Sequence, residues 1–197
     1  MITLGKNIDM LKTYRKVLKN DKEMTNLIIP KMYAESFYTI DFEYLLKKDI
    51  KNLIIDIDGT ILPADDTNVD ERLIEKFKEL KDKGFNICLV SNNSKSRVEP
   101  VADILKVPYL YKAKKPLRKC YDRSLEILKV NDLTKIAMIG DQMLTDVKGA
   151  NNYKIYSVLV KPISKKNNIG TYINRRLQNR IERYLKEKNI FDKDNYY

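Results

Sequence analysis

The middle of the chain alternates short apolar runs with stretches in which apolar residues recur at helical spacing. The runs predict β-strands, and the amphipathic stretches between them predict α-helices. In the first such helix, Leu73, Phe77 and Leu80 fall on one face, and Gly84 supplies a stop. The predicted strands are 52–57, 85–90, 109–111, 135–139 and 154–160, and the predicted helices are about 70–83, 96–105, 117–129 and 143–150.

This alternation predicts an α/β fold with a parallel sheet that helices cover on both faces. Right-handed crossovers make such a sheet doubly wound, or Rossmann-like. We expect one structural domain with three parts: an N-terminal helical or extended segment at 1–50 packed on the core, the core itself at 51–165, and a basic C-terminal helix and tail at 166–197. Ligands of such folds bind at the carboxyl ends of the strands.

Composition narrows the chemistry that this sheet can carry. The 197 residues include no histidine, which excludes histidine triads, imidazole acid–base catalysis and histidine-ligated metal sites. The two cysteines, Cys88 and Cys120, predict two small buried or half-buried residues and not a disulfide framework or a zinc site. Without a long apolar run or a signal peptide at the N-terminus, the expected compartment is the cytoplasm. The net charge of +11 favours anionic partners.

Unusual polar residues follow the predicted strands. Asp56 and Asp58 come directly after the first strand, Ser91 after the second, and Asp141 after the fourth. Carboxylates brought together at one rim repel each other unless a cation neutralises them. Only hard oxygen ligands are on offer, which points to Mg²⁺.

Magnesium together with a lysine is suited to stabilising a transferring phosphoryl group, and the short third strand leads into Lys114 and Lys115. Asp56 could attack phosphorus, and Asp58 could protonate the leaving oxygen and later take a proton from water.

Two plainer interpretations of these residues compete. An Asp-x-Asp-Gly start also resembles a calcium loop, but the twelfth position counted from Asp56 is Thr67 and not the required glutamate. Asp and Gly after strands are common turn formers, yet four such sites in the correct order are unusual for turns alone.

The residues 56–60, Asp-Ile-Asp-Gly-Thr, resemble the first motif of the haloacid dehalogenase (HAD) superfamily. Ser91, Lys115 and Gly140-Asp141 with Asp146 resemble its second, third and fourth motifs. The resemblance implies that Asp56 is the nucleophile and Asp58 the acid/base, and that Ser91 and Lys115 hold phosphoryl oxygens, with Lys114 as the alternative lysine. It also implies further roles, with Thr60 and Asn92 as substrate-binding groups, Asp56, the Asp58 backbone carbonyl and Asp141 as magnesium ligands, and Asp146 as a carboxylate that orients the metal waters or Lys115.

A narrower resemblance, over about residues 27–185, is to the YqeG-like capless phosphatases of HAD subfamily IIIA. It includes Ile29-Pro30-Lys31-Met32-Tyr33 before the first motif, Gly149-Ala150-Asn151 after the fourth, and Thr171 with Asn174-Arg175-Arg176 in the tail. Gly59 stands where that subfamily usually has Asn. Related mitochondrial and plastid enzymes dephosphorylate phosphatidylglycerophosphate, so the resemblance implies a lipid phosphate as a candidate substrate and phospholipid metabolism as the setting.

Spacing adds to this picture. Thirty-four residues lie between Asp56 and Ser91, and twenty-three between Ser91 and Lys115. Neither gap can hold a cap domain, so we expect an open site suited to head groups on large surfaces or to completion by an oligomer.

Terminal helices could supply a contact with an anionic membrane. Met10, Leu11, Tyr14, Val17 and Leu18 fall on one helical face, and the C-terminal helix is basic and amphipathic. The alternative is that each helix packs its apolar face on the sheet. In the C-terminal helix the apolar face holds Ile173, Leu177, Ile181 and Tyr184, and the basic residues are Arg175, Arg176, Arg180 and Arg183.

Three interpretations of function remain at this point. The first is a magnesium-dependent phosphatase of phosphatidylglycerophosphate, peripheral at the inner face of the membrane. The second is the same phospho-aspartate chemistry on a soluble sugar or nucleotide phosphate. The third is a non-catalytic basic RNA- or ribosome-binding module, which the complete set of site carboxylates disfavours, as does the lack of a nucleic-acid motif.

Overall fold

The computed structural model describes residues 2–64, 66–163 and 169–193, with side chains for 9–64, 66–163 and 175–193. Its centre is a six-stranded sheet in the order β1-β6-β5-β2-β3-β4. The strands are β1 Met32–Ala34, β2 Asn52–Ile55, β3 Asn86–Val90, β4 Tyr109–Leu110, β5 Ile136–Gly140 and β6 Tyr156–Val160.

Every pair of neighbouring strands in this sheet is parallel, which confirms the predicted α/β class. The chain leaves β2 toward β3 on one side, and β5 lies on the other side. The carboxyl ends of β2 and β5 therefore flank the point where strand order reverses, where a doubly wound sheet opens a crevice.

Eight α-helices connect and flank the strands within the described ranges. They are α1 Ile2–Leu18, α2 Lys22–Ile28, α3 Phe42–Lys47, α4 Glu71–Asp82, α5 Lys95–Leu105, α6 Arg118–Leu128, α7 Lys148–Tyr153 and α8 Ile169–Glu187. Short 3₁₀ turns lie at Phe37–Thr39 and Leu133–Lys135, and a π-helix at Met143–Val147.

Alternating strand residues send their side chains to opposite faces of the sheet, and each face is buried. Leu53 and Ile55 of β2 join a core with α3, α4 and α5, whereas Ile54 joins a second core with α6 and α7. A third cluster packs Leu159 of β6 against α1, α2, α8 and the π-helix. The continuous apolar character of the strands follows, because neither face meets water.

Caps explain several helix boundaries. The Asp70 carboxylate accepts a hydrogen bond of 2.8 Å from the Leu73 amide at the start of α4. The same helix ends before Gly84, whose φ of +87° suits a left-handed turn, as the sequence predicted.

Two features differ from the predicted elements. Strand β1 was not predicted, because Met-Tyr-Ala is too short to give a pattern, and it is an edge strand paired to β6. The predicted helix 143–150 begins as a π-helix and becomes α-helical only at Lys148. The other predicted strands and helices lie within two residues of their predicted bounds.

The terminal helices pack on the core through part of their apolar faces. In α8, Leu177, Ile181 and Leu185 are buried against α1 and the π-helix, whereas the side chain of Ile173 lies outside the described part. In α1 only Met10 and Val17 of the five predicted face residues are buried, and Leu11 and Leu18 are about 40% exposed (40% and 38%). The packing alternative therefore describes the apolar face of α8, and α1 only partly.

Among the described residues, no helix is long and apolar enough to cross a membrane. Within the same ranges, no second domain interrupts the sheet between β2 and β4, in agreement with the predicted lack of a cap.

Candidate active site

Asp56 is the first residue after β2, and its carboxylate is buried at the carboxyl end of the sheet. Its backbone amide donates to the Ile139 carbonyl at 2.9 Å, which continues the ladder between β2 and β5. The chain then turns at Gly59, with φ of +87°, where an added Cβ would lie 2.4 Å from the Asp141 Oδ2. Thr60 is buried next to this turn, and its Oγ1 has no hydrogen-bond partner among the described residues.

The Asp58 carboxylate is held on the side toward β3 and α5. Ser91 Oγ and Asn93 Nδ2 donate to its Oδ2 at 3.1 and 2.8 Å. Arg97 Nε and Nη2 lie 2.9 and 2.8 Å from its Oδ1, so the guanidinium pairs with one oxygen of this carboxylate through two of its nitrogens. Arg97 lies in the first turn of α5, and its guanidinium also donates to the Pro63 carbonyl at 2.9 Å, which fixes the direction of the side chain.

Lys115 lies at the centre of the site and is 2% exposed. Its Nζ is 2.6 Å from Asp56 Oδ1 and 2.8 Å from Asp146 Oδ1, so one ammonium joins two carboxylates. Asn92 fixes the loop that carries it, because the Lys115 amide donates to Asn92 Oδ1 at 2.8 Å. Lys114 is exposed, so Lys115 and not Lys114 is the lysine that reaches the site.

Asp141 and Asp146 come from the end of β5 and the π-helix, and both are fully buried. The Gln142 amide donates to Asp146 Oδ2 at 3.0 Å. An added Cβ on Gly140 would lie 2.4 Å from the Asp146 carboxyl carbon, so only glycine leaves room for this carboxylate. The π-helix thus brings the carboxylate of Asp146 back under the strand end.

Helix α8 reaches the same rim through two polar side chains. Arg175 Nη2 contacts the Asp141 carboxylate, and its Nη1 lies 3.4 Å from the Asp141 carbonyl oxygen. Gln178 accepts from the Met143 amide at 2.9 Å and donates to the Asp141 carbonyl at 3.4 Å. The C-terminal helix is therefore tied to the loop that carries Asp141.

The charges of these groups act on each other strongly because water is excluded. Burial raises the pKa of Asp56 well above its ordinary value; Lys115 opposes this shift, and the carboxylates of Asp146, Asp141 and Asp58 add to it. Burial likewise raises the pKa of Asp141 to about 6, against the effect of Arg175. Burial alone would lower the pKa of Lys115, but Asp146 and Asp56 outweigh it and raise that pKa.

Three of the carboxylates fit a divalent cation. Asp56, Asp141 and Asp146 each offer an oxygen within 4.8 Å of the others, and all three are buried. Asp141 Oδ1 has no hydrogen-bond partner in the described part of the chain, so a buried acceptor is left for a ligand. Hard oxygen donors of this kind suit magnesium.

The structure brings together all eight residues singled out from the sequence, although not all contact each other. The side chains of Ser91 and Asn92 turn to Asp58 and to the Lys115 amide, and Asp146 belongs to the acidic triad itself. Arg97, Asn93 and the contacts of Arg175 and Gln178 were not predicted. Arg97 had a usable signal, because it lies in the first turn of the helix after β3.

Comparison with known proteins gives a family match over most of the chain. Residues 9–164 match a family model described as mitochondrial PGP phosphatase. The chain is 33% identical over 165 residues to the probable phosphatase YqeG of Bacillus subtilis, which covers 84% of this chain and 95% of that protein.

Solved structures also resemble the chain. The cobalt-bound deoxy-D-mannose-octulosonate 8-phosphate phosphatase of Haemophilus influenzae is 16% identical, with a TM-score of 0.44, over 74% of this chain and 94% of that one. A probable YrbI family phosphatase of Pseudomonas syringae is 13% identical, with a TM-score of 0.46, over 75% of this chain and 96% of that one.

Proposed function

We propose a mechanism for a chain that belongs to the family described as mitochondrial PGP phosphatases and is a HAD-type phosphatase. In this proposal it is a magnesium-dependent phosphomonoesterase, and Asp56 is its nucleophile. The observation that carries this proposal is the buried group of Asp56, Asp141 and Asp146, with Lys115 bonded to the first and the last. Such a group concentrates negative charge at the rim, where a cation and a phosphoryl group would complete it.

In the first step, an Asp56 carboxylate oxygen attacks phosphorus, and the bond from phosphorus to the ester oxygen breaks. Asp58 protonates the departing oxygen, and Lys115 offsets the charge on the phosphoryl oxygens. A phospho-aspartate on Asp56 results. Asp58 then takes a proton from water as the water attacks phosphorus, which regenerates the Asp56 carboxylate and releases inorganic phosphate.

Asp56, Asp141 and the Asp58 backbone carbonyl would hold Mg²⁺, with Asp146 beside them. When bound, the cation supplies Lewis-acid neutralisation of phosphoryl charge. Ser91, Asn92 and Thr60 line the same rim, and the unpartnered Oγ1 of Thr60 is suited to a phosphoryl oxygen.

For the substrate, we propose phosphatidylglycerophosphate at an anionic membrane surface. The support is the family match and the exposed side chains of Arg180 and Arg183 on α8, the helix whose Arg175 reaches the rim. A basic helix packed beside an open site would attract anionic head groups.

Phosphate release from phosphatidylglycerophosphate in mixed micelles, beside a panel of soluble sugar and nucleotide phosphates, tests this proposal. We expect release with Mg²⁺ that favours the lipid and falls about a thousandfold or more in Asp56→Asn. The matched control is Asp103→Asn, which removes an exposed carboxylate of α5 and should retain wild-type rates. Release mainly from a soluble ester would contradict the lipid substrate and keep the chemistry, whereas no release from any substrate would contradict both.

A further inference from the structure

Arg175 of α8 enters the active site. It is 12% exposed, and its guanidinium contacts both the carboxylate and the carbonyl of Asp141. An added Cβ on Gly59 would lie 3.2 Å from Arg175 Nη2, which places the guanidinium against the turn that follows Asp56. An arginine from a helix distant in sequence therefore reaches the position between the nucleophile loop and a candidate metal ligand.

The charges around it do not balance. Four carboxylates, of Asp56, Asp58, Asp141 and Asp146, face three cationic side chains, of Lys115, Arg97 and Arg175. Lys115 is bonded to two of the carboxylates and Arg97 to a third, so Arg175 is the cation that neutralises Asp141.

The same carboxylate is one of the three that could hold a divalent cation. A guanidinium and a divalent cation bound to one buried carboxylate would repel each other strongly, because little water screens them. Once Asp141 is coordinated, Arg175 loses that carboxylate as a partner, while its guanidinium still lies against the turn at Gly59, three residues after Asp56. The planar fork of arginine matches the oxygens of a phosphoryl group, which would arrive at that place.

We propose that Arg175 exchanges partners during the reaction: it neutralises Asp141 before metal binding, releases that carboxylate to the cation, and then binds the phosphoryl oxygens of the substrate. This inference rests on the proposed function and adds to it a substrate-binding residue supplied by α8. No bond of the substrate is broken by Arg175, and its proton stays in place throughout.

Two binding measurements on the full chain distinguish this exchange from a structural role. The first is Mg²⁺ affinity by titration calorimetry, and the second is the affinity of the Mg²⁺-loaded protein for inorganic phosphate. In Arg175→Gln we expect Mg²⁺ to bind about fivefold or more tightly than in the wild type, because the competing cation is gone, and phosphate to bind about fivefold or more weakly. A residue that only supports the fold would weaken both.

Arg175→Lys keeps the positive charge and loses the fork, so it should restore Mg²⁺ affinity toward the wild-type value and recover only part of the phosphate affinity. Arg123→Gln changes an exposed arginine of α6, away from the basic surface of α8, and should alter neither constant. Thermal melts of each variant show whether it is folded.

Weaker Mg²⁺ binding in folded Arg175→Gln would overturn the proposal, since Arg175 would then orient Asp141 for the metal. Unchanged phosphate affinity would overturn it as well. Wild-type protein that binds both probes with the expected response to Arg175→Gln, but hydrolyses no phosphate ester, would contradict the proposed function and not the partner exchange.

Discussion

At the scale of single residues, the site depends on how closely its buried groups approach each other. Lys115 has two carboxylate partners within 2.8 Å. The Asp58 carboxylate accepts hydrogen bonds from the Arg97 guanidinium and from two uncharged side chains. Groups held this way cannot relax independently, so a change at a neighbour that bears no chemistry should still be felt at the reaction centre.

Gly140 is such a neighbour. An added methyl group would overlap the Asp146 side chain, so Gly140→Ala must displace the carboxylate that fixes Lys115. We expect a loss of about 1–3 kcal/mol in the free energy of unfolding, together with a loss of phosphatase activity. Urea denaturation and phosphate release measure the two effects. Gly84→Ala is the control for activity, because no atom lies within 4 Å of its added Cβ. Normal activity in Gly140→Ala would contradict this account.

Arg97 should matter most when the leaving group needs a proton. Its guanidinium holds the carboxylate of Asp58, so Arg97→Gln should leave the proposed acid/base poorly positioned. We expect the rate to fall about a hundredfold for alkyl phosphates and much less for p-nitrophenyl phosphate, whose leaving group departs without an acid. Steady-state kinetics on both substrates measure this, and an equal loss on the two would argue against a positioning role.

At the scale of elements, local sequence predicted the parts of the fold that local patterns determine. Apolar runs marked five of the six strands, and their polar ends marked Asp56, Ser91 and Asp141. Strand β1 was not predicted, because three residues are too few to show the alternation of a strand. Its pairing with β6 also depends on residues far away in the chain. The π-helix covers only five residues, Met143–Val147, which is too short for its apolar spacing to be told from that of an α-helix in the sequence.

Side chains that reach across elements were the part of the site that the sequence could not predict. Arg97 crosses from α5 to the loop after β2, and Arg175 crosses from α8 to the end of β5. The position of Arg97 in the first turn of α5 marks it as near the strand ends, but local spacing does not show which distant carboxylate a long cationic side chain reaches. By contrast, the sequence predicted that the strand-end carboxylates lie together, because parallel strands bring their carboxyl ends to one rim.

Helix α8 should be an integral part of the fold. Ile181 is fully buried, so Ile181→Ala should cost about 2–5 kcal/mol in the free energy of unfolding through lost burial and the cavity left behind. Chemical denaturation measures the change. Ile104→Ala, at a side chain that is 46% exposed, is the matched control and should cost much less. Similar small losses at both positions would mean that α8 does not pack as described.

At the scale of the whole molecule, a sheet buried on both faces holds the reactive groups of the core out of water. Cys88 and Cys120 lie in one such core, and both are fully buried, in agreement with the predicted buried or half-buried side chains. Burial raises the pKa of each thiol to about 12, so almost no thiolate exists near neutral pH.

We therefore expect alkylation of both thiols to be slow in the native protein at pH 8 and fast in urea, because the thiolate is the reactive species. Mass spectrometry after a timed exposure to iodoacetamide counts the modified cysteines. Raising the pH above the ordinary thiol value should destabilise the fold, since unfolded thiols ionise there and folded ones do not. Rapid native alkylation at pH 8 would show that this core opens readily.

At the same scale, two parts of the molecule meet at one rim. The sheet holds the carboxylates and Lys115, whereas α8 adds a basic surface and reaches the same rim. In the proposed function, the helix takes the place of a cap domain by supplying contacts from the side.

The measurement that tests the central claim most directly is detection of the covalent intermediate. Wild-type protein mixed with Mg²⁺ and substrate is quenched in acid within the first turnovers, and the digested peptides are weighed by mass spectrometry. We predict one phosphoryl group, labile to hydroxylamine, on the peptide that contains Asp56, and none in Asp56→Asn or after chelation of the metal. Asp58→Asn should retain the group longer, because the water that removes it lacks its base. Steady turnover with no phosphoryl group on that peptide, or undiminished turnover in Asp56→Asn, would contradict the account.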